Sequence, residues 1–79
     1  MSVRSTITSL FEQVAQEQKK KLAPLSDDLQ LLQSGLDSLS LALVVARLED
    51  SLGYDPMETA TSFPVTFGDF VGLYEKTAG

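Results

Sequence analysis

The chain has 79 residues, 43% of them hydrophobic and 22% charged, with a formal net charge of -5, no histidine and no cysteine. That length allows one globular domain with a thin core, and the missing residue types exclude disulfides, thiolate nucleophiles, His or Cys metal ligands and the commonest general base. The acidic balance disfavours nucleic acid and anionic membranes as partners, no apolar run approaches a membrane span, and no signal peptide opens the sequence, so a soluble, cytoplasmic, single-domain protein over 1–79 is expected.

The first segment reads as a helix. Val3, Ile7, Leu10, Phe11 and Val14 recur in steps of three and four, with Ser2 as the N-cap and an end expected near Lys20, ahead of Pro24. Lys19, Lys20 and Lys21 follow, too short a run for a nucleic-acid site and read as a solvated cationic helix end. Charge is uneven along the chain. Residues 1–24 sum to +2 from four cations and two acids, and residues 25–79 to -7 from two cations and nine acids.

A long connection runs from Leu22 to Asp37. It mixes turn formers (Pro24, Ser26, Asp27, Asp28, Ser34, Gly35) with Leu22, Leu25, Leu29, Leu31, Leu32 and Leu36. A free loop would not carry so many leucines, so this one is expected to lie on the helices and close the core. The second helix is expected from Ser38 to Leu52, capped by Asp37 and stopped by Gly53. One short helical turn is expected within Met57–Thr61, before Pro64. A last helix starts at Thr66 or Phe67, where Thr66 and Asp69 stand in the capping-box relation and Phe67, Phe70, Val71 and Tyr74 form the apolar stripe. The expected fold is all-α: a small bundle of three main helices plus a short one, with one long crossover. No sustained heptad suggests more than a monomer.

The second helix, SLSLALVVARLEDSL, is apolar on more than one side. Leu41, Val44, Val45, Leu48 and Leu52 form one stripe, and Leu39, Ala42, Leu43 and Ala46 another. Either both stripes are core, or the second is exposed and docks a partner. Ser38 occupies the first helical position, at the positive pole of the helix dipole, where free backbone N–H groups favour a phosphate ester on its hydroxyl. A serine often does no more than begin a helix, and physics alone leaves that plainer reading ahead. A hydrolase is excluded: there is no histidine, no G-x-S-x-G elbow, and Asp37 and Ser38, being adjacent, point in different directions.

Gly35-Leu36-Asp37-Ser38-Leu39 resembles the G-x-D-S-L signature of the acyl carrier proteins. The resemblance extends along the chain: an amphipathic first helix, a leucine-bearing loop, D-S-L opening a helix, L-E-D-S-L-G closing it, and T-F-G-D-F-V opening the last one. It implies that Ser38 carries a 4'-phosphopantetheine arm taken from coenzyme A, and that Asp37 is read by the phosphopantetheinyl transferase that installs it. Leu39, Ala42, Leu43, Ala46, Arg47 and Asp50 are implied as the partner-docking face, and Glu49 with Asp50 as part of an acidic run. The implied protein is a carrier of acyl or aminoacyl thioesters, not itself an enzyme. It would serve a ligase or synthase and downstream transferases, without nucleic acid, membrane or metal. A small acidic interaction module without a prosthetic group is the alternative.

Ser40 and Leu43 stand where fatty-acid carriers present acids, and Arg47 where a small neutral residue is usual. With Phe63-Pro64-Val65-Thr66, these departures point to a specialised, discrete carrier with its own partners.

Overall fold

The structure is a computed structural model that describes residues 2–56 and 63–78, with Thr77 and Ala78 described for their backbone only. Three helices carry the fold: α1 (Val3–Glu17), α2 (Ser38–Leu52) and α3 (Phe67–Ala78), with one 3-10 turn, η1 (Leu31–Gln33), in the long connection. Among the described residues the only β pairing is a single antiparallel bridge between Gln30 and Thr66. The all-α expectation holds. The short turn expected within Met57–Thr61 lies outside the described residues.

Each helix begins where its cap dictates. The Ser2 hydroxyl accepts the Ser5 N–H, and the Asp37 carboxylate accepts the Ser40 N–H. At α3 the expected box closes in both directions: Asp69 N–H donates to Thr66 Oγ1 at 3.1 Å, and Thr66 N–H to Asp69 Oδ2 at 3.4 Å. α1 stops at Glu17, short of the expected Lys20. The cause is Lys19, which adopts the left-handed conformation at φ 56°. Its N–H bonds the Gln16 carbonyl at 3.1 Å, and the Lys20 N–H bonds the Ala15 carbonyl at 2.8 Å. This is a Schellman closure made without glycine. The lysines therefore lie beyond the helix and are not its last turn.

The core is built from one stripe of each helix. Ile7, Leu10, Phe11 and Val14 of α1 meet Leu41, Val44 and Leu48 of α2 and Phe67, Phe70, Val71 and Tyr74 of α3. Phe11 sits at the centre, its ring edge-on to Phe67 at 5.2 Å and to Phe70 at 5.7 Å, pairings worth about 0.5–1.5 kcal/mol each beyond burial. The connection contributes as its leucines require. Leu31 and Leu36 are buried, and Leu22 and Leu25 pack against the core. Ser34, also buried, satisfies its hydroxyl on the Leu31 carbonyl at 2.6 Å, and its own carbonyl accepts the Ala23 N–H at 2.8 Å.

Backbone hydrogen bonds fasten the connection to the start of α3. Leu31 N–H reaches the Val65 carbonyl, Phe67 N–H the Leu29 carbonyl, and Gly68 N–H the Asp27 carbonyl, at 2.8–2.9 Å. At the other end of the bundle, the Arg47 guanidinium forks onto Glu17 with bonds of 2.8 and 2.6 Å and ties the end of α1 to the middle of α2.

Gly35 sets up the entry to α2. Its φ is 106°, and a Cβ there would collide with the Lys21 carbonyl. Gly53, which ends α2 at φ 83°, has open space around its Cα. Gly53→Ala should therefore cost about 1–2 kcal/mol of left-handed strain alone, and Gly35→Ala clearly more, because the Lys21 backbone must also move. Urea unfolding followed by far-UV circular dichroism checks the order; equal losses would mean that the close approach at Gly35 is not felt.

Candidate functional site

The start of α2 gathers the distinctive groups. Ser38 is the first helical residue and is exposed. Asp37 precedes it in extended backbone, with ψ -179°, so that its side chain folds back over the helix start. Oδ1 of Asp37 accepts the Ser40 N–H at 2.8 Å, and Oδ2 takes the Lys20 ammonium at 2.7 Å. The Asp37 carbonyl takes the Leu41 N–H at 2.9 Å. Among the described residues no hydrogen bond takes up the N–H groups of Ser38 and Leu39. An exposed hydroxyl thus stands beside two uncommitted donors at a helix start, a setting that suits a phosphate ester.

Lys20, and after it the Ser40 N–H, hold the Asp37 carboxyl well below the usual carboxylate range. The Ser40 hydroxyl, almost fully buried, is near enough to add to that shift but forms no hydrogen bond of good geometry. Both oxygens of Asp37 are occupied, so it is unsuited to deprotonate Ser38.

Beside Ser38 opens an apolar groove of about 480 Å³. Ser38, Leu41 and Ala42 form its α2 wall, and Leu31, Leu32 and residues 63–65 line the rest. Leu32, Phe63 and Val65 are 72%, 53% and 61% exposed. The Phe63–Val65 wall is not among the site residues expected from the sequence. A larger, shallower depression of about 820 Å³ between α1 and residues 20–25 does not touch Ser38.

A family model described as the phosphopantetheine attachment site matches residues 5–60. The chain belongs to this family. The match spans nearly all of α1, the connection and the whole of α2. Members carry a covalently attached 4'-phosphopantetheine and are not catalysts themselves, so the chain is a phosphopantetheine carrier that works with an arm-installing transferase and with biosynthetic enzymes. Comparison with the curated proteins and with the solved structures gives no match. Among the described residues no helix of the carrier is long and apolar enough to cross a membrane.

The structure divides the docking residues named from sequence. Leu39 is 81% exposed, and Ala42, Ala46 and Asp50 are exposed along the same stripe of α2. Leu43 is half-buried against the core, and Arg47 is bound to Glu17 across the α1–α2 interface. Both are partly covered and are not part of the open stripe. Sequence spacing places Leu39 and Leu43 together as i and i+4; burial separates them.

The depressed Asp37 carboxyl sets an acid limb. The unfolded chain takes up a proton at the ordinary aspartate value of about 3.9, while the folded carboxylate resists. The contribution of Asp37 is therefore complete above that pH and is lost as pH falls below it. Glu17, lowered by Arg47, behaves in the same sense. Melting temperatures from pH 7 to pH 3 should fall less steeply for Asp37→Asn than for the native carrier, and least for Asp37→Asn combined with Glu17→Gln. Parallel curves would contradict this assignment.

Proposed function

We propose that the chain is a discrete carrier of acyl or aminoacyl thioesters whose arm is esterified to Ser38. The observation that carries this reading is the exposed Ser38 hydroxyl at the capped, donor-bearing start of α2, inside the G-L-D-S-L motif. In loading, the Ser38 oxygen forms a new phosphoester bond while the diphosphate bond of coenzyme A breaks. The nucleotide bisphosphate leaves, and the hydroxyl proton passes to a base of the transferase. The bound arm supplies a thiol, which the cysteine-free chain lacks, and so holds cargo as an activated thioester.

The chain's own residues present, orient and dock. Asp37 fixes where the helix begins and therefore where Ser38 points. The N–H groups of Ser38 and Leu39 face the phosphate position. Leu32, Leu41, Phe63 and Val65 offer an apolar surface for the near part of the arm or its cargo. Leu39, Ala42, Ala46 and Asp50 form the side offered to a loading ligase or synthase and to downstream transferases. The acidic field speeds encounter with basic partner surfaces and weakens with salt. A cytoplasmic monomer with residues 1–79 as one carrier domain fits this role.

Incubation with coenzyme A and a broad-specificity phosphopantetheinyl transferase should add one arm by intact mass, and Ser38→Ala should abolish the gain. No gain where a control carrier loads would leave a plain interaction module. Docking is tested by a contrast on α2. Leu39→Glu should change stability by no more than about 0.5 kcal/mol yet slow transfer from the native loading enzyme roughly tenfold, as loss of an interface anchor does. Leu43→Glu should chiefly destabilise. A Leu39→Glu carrier that is loaded at the native rate would remove Leu39 from the docking face.

A further inference from the structure

We propose that Lys20 is the built-in counter-ion of the phosphodiester on Ser38, a positioning residue that Asp37 holds in reserve until the arm is installed. The inference rests on the Ser38 reading above.

The backbone makes an unusual provision for this lysine. α1 ends at Glu17, and Lys19 turns left-handed at φ 56°, a conformation that a lysine adopts reluctantly. The result is that Lys20 leaves the helix end and crosses to the start of α2, its ammonium 2.7 Å from Asp37 Oδ2 and its side chain 29% exposed. Of the three ion pairs among the described residues only this one reaches the α2 start, since Arg4 pairs with Asp27 and Arg47 with Glu17.

Loading changes the charge at that point. Before it, one carboxylate and one ammonium balance each other beside an uncharged hydroxyl. After it, a phosphodiester anion is attached to the residue next to Asp37, and two like charges share one helix start. The uncommitted N–H groups and the helix dipole meet part of that demand. An ammonium has three donors, and Asp37 uses one. The compact charge on a flexible stem can be shared between two anions without the fixed fork that a guanidinium imposes. In the unloaded chain Lys20 serves Asp37 alone, as an exposed pair; in the loaded one it serves two anions.

The test compares unloaded and loaded forms of the native chain, Lys20→Met and Lys20→Arg, each loading verified by intact mass. Lys20→Met should lower the folding constant of the loaded form about threefold more than that of the unloaded form at low ionic strength, the size of a charge at a helix terminus. The excess should fade near 1 M salt. Lys20→Arg should restore most of it, and the phosphorus NMR resonance of the loaded chain should move in Lys20→Met. Ser38→Glu supplies an anion without the transferase, and adding Lys20→Met to it should again cost more than Lys20→Met alone. Equal losses in both forms with an unmoved phosphorus resonance, or no coupling to Ser38→Glu, would overturn the role of Lys20 while leaving Ser38 as the attachment point. A native chain that gains no mass would overturn the Ser38 reading, and this proposal with it.

Discussion

The Asp37 carboxylate meets two demands at once. One oxygen caps α2 through the Ser40 N–H, and the other receives Lys20 from the far end of the first interhelical connection. The cap decides that the helix starts at Ser38 and not a residue earlier or later. A shift of one residue would turn every α2 side chain by about 100°, carrying Leu41, Val44 and Leu48 off the core and Ser38 off the helix start. The buried stripe fixes the rotation of α2 on the core, and the cap places the Ser38 hydroxyl at its start.

A chain this small buries a helix on all sides only with difficulty, and α2 divides its apolar residues three ways. Leu41, Val44 and Leu48 are core, Leu43, Val45 and Leu52 are partly covered, and Leu39, Ala42 and Ala46 are left open. The open set is small-sided except for Leu39. That leaves a shallow, mostly small-sided apolar face beside the hydroxyl.

Local chemistry is what made the sequence legible. Ser2, Asp37, Thr66 with Asp69, and Gly53 each announce a helix boundary through a side chain or backbone freedom visible within four residues. The family motif is equally local. What escaped reading depends on distance or on a broken preference. The end of α1 was hidden because a lysine, not a glycine or asparagine, takes the left-handed position. Arg47 looked like surface because its partner Glu17 is 30 residues away. Leu31 and Leu32 are indistinguishable as neighbours in a string, yet η1 buries one and exposes the other. The Phe63–Val65 wall of the groove had no periodic signature at all.

The hydrogen bonds that join residues 27–31 to residues 65–68 have a mechanical consequence. Leu31 of η1 and Val65 lie on the two walls of the groove that α2 does not form and are bonded to each other, so those walls are fastened together. The third side of the groove is α2, which carries Ser38. The hydroxyl of Ser38 therefore stands on the one side of the groove that these bonds leave unbraced.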